Sequence, residues 1–241
     1  MSNEEISRGY VPRENPAQLN DLWLRQQRSQ GENIPREVEI LGKRFVIFPG
    51  VHSPAFYADT AFFASYIIPR IRPGSRFLEI GCGTGVVSIL AALKGANVTA
   101  TDINPQAITN TKENARLHGV ELPVLEGDVY GALPEETTYD TICWNVPFAY
   151  VNTDKDKLST LARAVFDPQH DGLKKYILGA KKHLNKGGEL LLGYSSTLGD
   201  LNAIRAYAKQ AGLQFTVIAS TIDPKDSKQE KRFDLLIAYN P

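Results

Sequence analysis

The chain has 241 residues, 42 % of them apolar and 22 % charged, enough for one buried α/β core with an N-terminal extension and short for two full domains. Lysine plus arginine and aspartate plus glutamate number 27 each, and a zero net charge argues against a protein that holds nucleic acid chiefly by neutralising phosphates. Two cysteines, Cys82 and Cys143, are too few for a disulfide framework or a zinc cluster. No apolar run nears the roughly 18 residues that span a bilayer, and the polar, acidic start from Met1 to Glu5 is unlike a secretory signal, so a cytoplasmic protein without a membrane partner is expected.

The first 36 residues are polar and punctuated by Pro12, Pro16 and Pro35, with an amphipathic helix expected from about Ala17 to Gln30 that buries Leu19, Leu22 and Trp23. Two β runs between Val38 and Phe48 read as a hairpin turning at Gly42-Lys43. An apolar helix over Tyr57–Ile68 is stopped by Pro69 and Pro73. Strands and helices then alternate. Strands are expected at Arg76–Ile80, Asn97–Thr101, Pro123–Glu126, Tyr139–Trp144 and Glu189–Tyr194. Helices are expected at Val86–Lys94, Pro105–His118, from Asp171 as a cap to about Leu184, and at Leu198–Ala211. Two closing strands, Leu213–Ile222 and Arg232–Tyr239, are joined by a charged turn too short for a crossover helix, so they should be antiparallel. The alternation predicts an α/β, doubly wound, mostly parallel sheet, with residues 1–50 as extension and 51–241 as the main domain.

The sharpest local signal is Glu79-Ile80-Gly81-Cys82-Gly83-Thr84-Gly85, which follows a strand and opens a helix. Glycines there let the chain turn tightly and let a ligand reach main-chain N–H groups. A dinucleotide fingerprint would carry its third glycine one residue later, where Val86 stands. Glu79 suits a cationic amino-acid moiety better than a pyrophosphate. Asp102, before Ile103 at the end of the second strand, can accept both ribose hydroxyls or cap the helix that begins at Pro105. Asp128, beyond the third strand, can accept an adenine amino group or sit in a turn, with Val129 against the ring.

These residues resemble the class I S-adenosylmethionine-dependent methyltransferases, over roughly Val38 to Tyr239. The resemblance implies seven strands in the order 3-2-1-4-5-7-6, strand 7 antiparallel, and S-adenosylmethionine bound by Glu79, residues 81–85, Asp102, Ile103, Asp128, Val129 and Asn145. The fourth strand ends in Asn145-Val146-Pro147-Phe148, similar to the Asn-Pro-Pro-Tyr/Phe motif of enzymes that methylate amide or nucleobase nitrogens. The Asn145 side-chain oxygen and the Val146 carbonyl would hold the two N–H groups of a planar nitrogen in line with the methyl, and Phe148 would stack on it. Val146 replaces the motif's first proline and loses its φ lock, while Pro147 still holds Val146 extended. Asn145, Pro147 and Phe148 are thus the catalytic candidates.

Pro49-Gly50-Val51-His52-Ser53-Pro54 and Asp171-Gly172-Leu173 resemble stretches of the release-factor glutamine methyltransferases and their small-domain relatives. Those enzymes carry arginine and glutamates where this chain has Ala55-Phe56-Tyr57-Ala58-Asp59-Thr60, and a much longer N-terminal segment. Phe56 and Tyr57 join Val146 and Phe148 as acceptor-pocket candidates or core of the next helix. The resemblance therefore implies the reaction, with a glutamine-like protein amide or a small molecule as acceptor. A nucleic-acid base is disfavoured by the neutral charge, and a non-catalytic nucleotide-binding module by Asn145; no oligomeric state is implied. His52, His118, His170 and His183 lack metal-ligand spacing, Lys174, Lys175, Lys181 and Lys182 read as a solvated face, and Ser195-Ser196 lacks a hydrolase elbow.

Overall fold

A computed structural model describes residues 16–31, 36–224 and 231–240. The opening residues 1–15, Pro35 and the tip of the last turn, on which expectations were placed above, lie outside the described residues.

Helix α1 (Pro16–Arg28) leads to a hairpin of β1 (Glu37–Ile40) and β2 (Lys43–Val46). The turn falls one residue earlier than expected, on Leu41 and Gly42, both at positive φ (49° and 71°), which makes it the tight two-residue form. Helix α2 (Asp59–Ile67) ends in a 3₁₀ turn, Ile68–Arg70. Then follow β3 (Arg76–Ile80), α3 (Val86–Leu93), β4 (Asn97–Asp102), α4 (Pro105–Leu117), β5 (Val124–Glu126) and β6 (Tyr139–Asn145). After β6 come two strands that sequence reading missed, β7 (Ala149–Val151) and β8 (Phe166–Pro168), paired in parallel as a small separate sheet. The chain closes with α5 (Asp171–His183), β9 (Leu184–Tyr194), α6 (Leu201–Ala211), β10 (Thr216–Ile222) and β11 (Arg232–Tyr239).

Seven strands form one sheet in the order β5-β4-β3-β6-β9-β11-β10. Counted along the sheet's own strands this is 3-2-1-4-5-7-6, with β11 antiparallel to both neighbours, as expected. Leu190, Leu191 and Leu192 of β9 are 0 % exposed, so this strand is buried on both faces and reads as a continuous apolar run. α2 packs on α3, α3 on α4, and α5 on α6. Crossovers from β3 run towards β5 and those from β6 towards β9, so the order reverses between β3 and β6 and opens a cleft at their carboxyl ends.

Two helix starts differ from expectation. Asp171 is the first residue of α5 rather than its cap; the capping carboxylate is the buried Asp167, which accepts from the Gly172 and Leu173 N–H groups at 2.9 Å each. Asp200 caps α6 by accepting from Asn202 and Ala203 at 2.9 and 3.2 Å, so that helix begins at Leu201 instead of Leu198.

The N-terminal elements are bound to this body. Asn110 and Asn114 of α4, both 0 % exposed, bond the main chain at Val46 and Phe48. Helix α1 buries Leu22 in a second small core with Ala149, Ala162, Val165 and Phe166, and Arg25 pairs with the buried Asp223 at 3.1 Å. No described helix is long and apolar enough to cross a membrane.

Candidate active site

β3 carries Glu79 to the floor of the cleft, and the loop from Gly81 to Gly85 turns into α3. The Cβ that any other residue would add at Gly81 falls 2.4 Å from Trp144 Nε1, and at Gly85 2.7 Å from Thr111 Cγ2, with φ at +62° and +79°. Only glycine fits there. A Cβ at Gly83 would meet no atom within 4 Å, so that side of the loop faces open space. Its N–H donates to Asp102 Oδ2 at 2.9 Å, and Asn104 N–H donates to Oδ1 at 2.9 Å, which ties the loop to the end of β4. The helix cap that the sequence left as an alternative for Asp102 is Asn104, whose side chain accepts from Gln106 N–H at 3.1 Å.

Glu79 is buried and accepts from the Ser88 N–H at 2.8 Å and from the Ser88 hydroxyl. Burial pushes its carboxyl up to about 8 against those hydrogen bonds. Burial likewise raises Asp102. Neither acid has a cationic partner among the described residues. Cys82, Thr84 and Ile103 line the same cleft. Val129 lines it at φ +53°, a conformation costly for a β-branched residue and typical of backbone held for function. Asp128 lines it too, its carboxylate 2.6 Å from Lys175 Nζ, which also meets Asp171 at 2.6 Å. Lys175 does not itself line the cleft, but its pairs with Asp128 and Asp171 set it apart from a plain solvated face.

The opposite end of the cleft is built by the end of β6, the start of α2, and the segment around β8. Asn145 Nδ2 donates to Asp59 Oδ2 at 2.8 Å, while Asn145 Oδ1 is buried without a partner among the described residues. An acceptor-only carboxylate fixes which end of the amide faces it, so the oxygen is the end left over. Val146, 1 % exposed, donates its N–H to Gly193 O at 3.2 Å. Proline has no such donor. The valine thus recovers by a hydrogen bond to β9 the fixation it loses as a φ lock. Pro147 and Phe148 line the cleft, Phe148 edge-on to Tyr194 with ring centroids 6.3 Å apart.

Tyr57 also lines the cleft; Phe56 does not, lying instead beneath Arg25 at 5.9 Å. Sequence reading passed over Asp59, Leu22 and residues 163–168 as part of the cleft, and gave His52 a surface or core role, whereas His52 is among the residues that line it. His118 meets Arg44 O at 2.8 Å, His183 meets Thr137 O at 3.1 Å and His170 is buried beside Tyr150. Ser195 donates to Arg232 O at 2.7 Å in a structural role. No group of side chains among the described residues is placed to hold a metal.

The residues present fit S-adenosylmethionine. Two buried acids without a cation among the described residues, the open face at Gly83 and a cleft that runs from Glu79 to Phe148 suit a cationic nucleoside with room beside it. When bound, that molecule supplies an electrophilic methyl group.

Comparison with known proteins agrees with this reading. The family model described as the methyltransferase small domain matches residues 44–213. A protein from Methanocaldococcus jannaschii, named provisionally as a protein N5-glutamine methyltransferase, is 32 % identical over 171 residues, 69 % of this chain and 83 % of its own. The release factor glutamine methyltransferase of Bordetella pertussis is 29 % identical over 73 % of this chain and 67 % of its own. The ribosomal RNA small subunit methyltransferase C of Haemophilus influenzae is 28 % identical over 79 % of this chain, which spans half of that protein. Among solved structures, the Thermus thermophilus 16S rRNA N2 G1207 methyltransferase, in complex with AdoMet and guanosine, shares the fold at TM-score 0.60 and 19 % identity, over 85 % of this chain and 50 % of that one. Relatives that act on ribosomal RNA remove the ground on which neutral net charge was held to disfavour nucleic acid. The chain belongs to the methyltransferase small-domain family and is an S-adenosylmethionine-dependent methyltransferase.

Proposed function

We propose that the chain methylates a planar amide nitrogen, of the glutamine side-chain type, presented on a protein. The observation that carries this reading is the carbonyl oxygen of Asn145, a residue lining the cleft, which is buried and without a partner among the described residues. A buried acceptor left unmade costs about 1–3 kcal/mol, so the site gains most from a ligand that brings an N–H donor there. A carboxamide brings two, one for Oδ1 and one for the adjacent Val146 carbonyl, and the pair sets the plane of the nitrogen. The lone pair of such a nitrogen is delocalised into its carbonyl, and holding that plane in line with the methyl is the chief contribution asked of the protein. Two relatives named for glutamine methylation, one of them for the N5 position, support the same reading.

An exocyclic amine of a nucleobase also offers two planar N–H donors, and a relative named for ribosomal RNA methylation makes it the second reading. Methyl-labelled S-adenosylmethionine is added to an extract of the source cells with the protein, and the protein, RNA and small-molecule fractions are hydrolysed. Labelled N5-methylglutamine is the expected product. Label confined to bases or to small molecules would overturn the amide reading.

A further inference from the structure

Methylating an amide nitrogen releases one proton, and Asn145 cannot take it, because an amide is not a base at neutral pH. His52 lines the same cleft, its Nδ1 buried without a partner among the described residues. Its ring is stacked on Tyr57, centroids 4.2 Å apart and planes at 24°, and the Tyr57 hydroxyl is anchored to Gln26 Oε1 of α1 at 2.9 Å. Two charged groups act on the imidazole: Asp59 of α2, which also holds Asn145, and Arg25 of α1. Burial outweighs Asp59 and, with Arg25, holds the imidazole below its ordinary range, so the ring is neutral and Nδ1 or Nε2 carries a free lone pair.

We propose, on the reading that the acceptor nitrogen is held at Asn145, that Nδ1 of His52 receives the proton released by methyl transfer. The nitrogen pair forms the new N–C bond, the pair of the broken S–C bond stays on sulfur, and the N–H proton passes to His52. The positive charge brought in on sulfur therefore leaves as imidazolium, with Asp59 as its counter-charge. Two other wall groups are pushed by burial into this range. Asp167, to about 7, has both oxygens engaged by the α5 N–H groups and serves as a cap, and Glu79, to about 8, is engaged by the Ser88 N–H and hydroxyl on the floor of the cleft.

The test uses the full chain. NMR titration of labelled histidine, with the His52 signal assigned through His52→Asn, is expected to show an imidazole that titrates below pH 6.5 and shifts when S-adenosylmethionine is added. Label transfer from pH 5 to 9 should fall on the acid side at the same midpoint. In His52→Asn, which keeps a polar group near the Nδ1 position, that acid limb should vanish and turnover drop about 100-fold, with unchanged cofactor affinity by calorimetry. An acid limb that persists in His52→Asn, or that moves only with Asp167→Asn, would overturn the proposal. Product identity is read separately: a labelled base in place of N5-methylglutamine would overturn the amide reading and leave the His52 result standing.

Discussion

The amide of Asn145 and the carboxylate of Asp59 meet at 2.8 Å across 86 positions of sequence, and on the proposed reading this bond sets what Asn145 offers an acceptor. It engages one N–H of the Asn145 amide and fixes which end of the amide faces Asp59, leaving the carbonyl oxygen as the unpartnered end among the described residues. Asp59→Ala should free the amide to rotate. Steady-state kinetics are expected to show turnover lower by about 10–100-fold, the equivalent of a charged hydrogen bond, with a much smaller change in cofactor affinity. A loss of cofactor affinity as large as the loss of turnover would place Asp59 in the donor site instead.

Asp102 accepts from the glycine loop and from Asn104 through different oxygens, which keeps both at the end of β4. Asp102→Ala should weaken S-adenosylmethionine by roughly 1–3 kcal/mol, read by isothermal titration. Undiminished affinity would put the ribose elsewhere.

Glu79 carries a pH signature. Its folded carboxyl titrates near 8 and its unfolded one near 4.5, so between these values the folded chain holds a proton that the unfolded chain has released. Unfolding then liberates a proton, and stability declines as pH rises through that window. Asp167, raised to about 7, adds to the decline in the same direction. Thermal melts of the cofactor-free protein should show the decline from pH 5 to 8.5, and Glu79→Gln should flatten it, a difference on the order of a few kcal/mol at the alkaline end. A cation bound beside Glu79 lowers its pKa again, so binding of the donor at pH 7 should release protons, measurable as calorimetric heats that differ between buffers of unequal ionisation enthalpy. Equal heats would remove Glu79 from the cationic subsite.

Helix α1 is fastened through Gln26, 0 % exposed, which donates to Leu161 O at 3.3 Å and accepts from the Tyr57 hydroxyl. Gln26→Ala leaves both partners unmet in a buried place. Denaturant titration should show about 1–3 kcal/mol of lost stability, whereas a helix merely appended to the fold would lose none.

Elements with a buried face were legible in the sequence: β3 and β11 fall on the residues expected, because a central strand between turn residues has one reading. β7 and β8 were not, since three-residue strands carry no period, and β9 extends back through Gly187-Gly188, a pair that locally reads as a turn. The glycine loop, Asp102 and Asn145 are legible because each sits at a strand end, where an α/β sheet places its ligands. Asp59 and His52 are not, for nothing local distinguishes them. The meeting of α2 with the end of β6 brings the one to Asn145, and the fold brings the other, stacked on Tyr57, to the cleft wall. Lys175 was half legible: its pairing with Asp171 four residues earlier follows from helical spacing, its pairing with Asp128 only from the fold.

The measurement that bears most directly on the account is turnover and cofactor affinity of Asn145→Ala, side by side with the parent protein. Removing the unpartnered carbonyl should lower turnover by at least about 100-fold, the scale of lost alignment, while S-adenosylmethionine binds within a few-fold of its original affinity. Turnover equal to that of the parent would show that the acceptor is not held at Asn145, and the amide reading would fall with it.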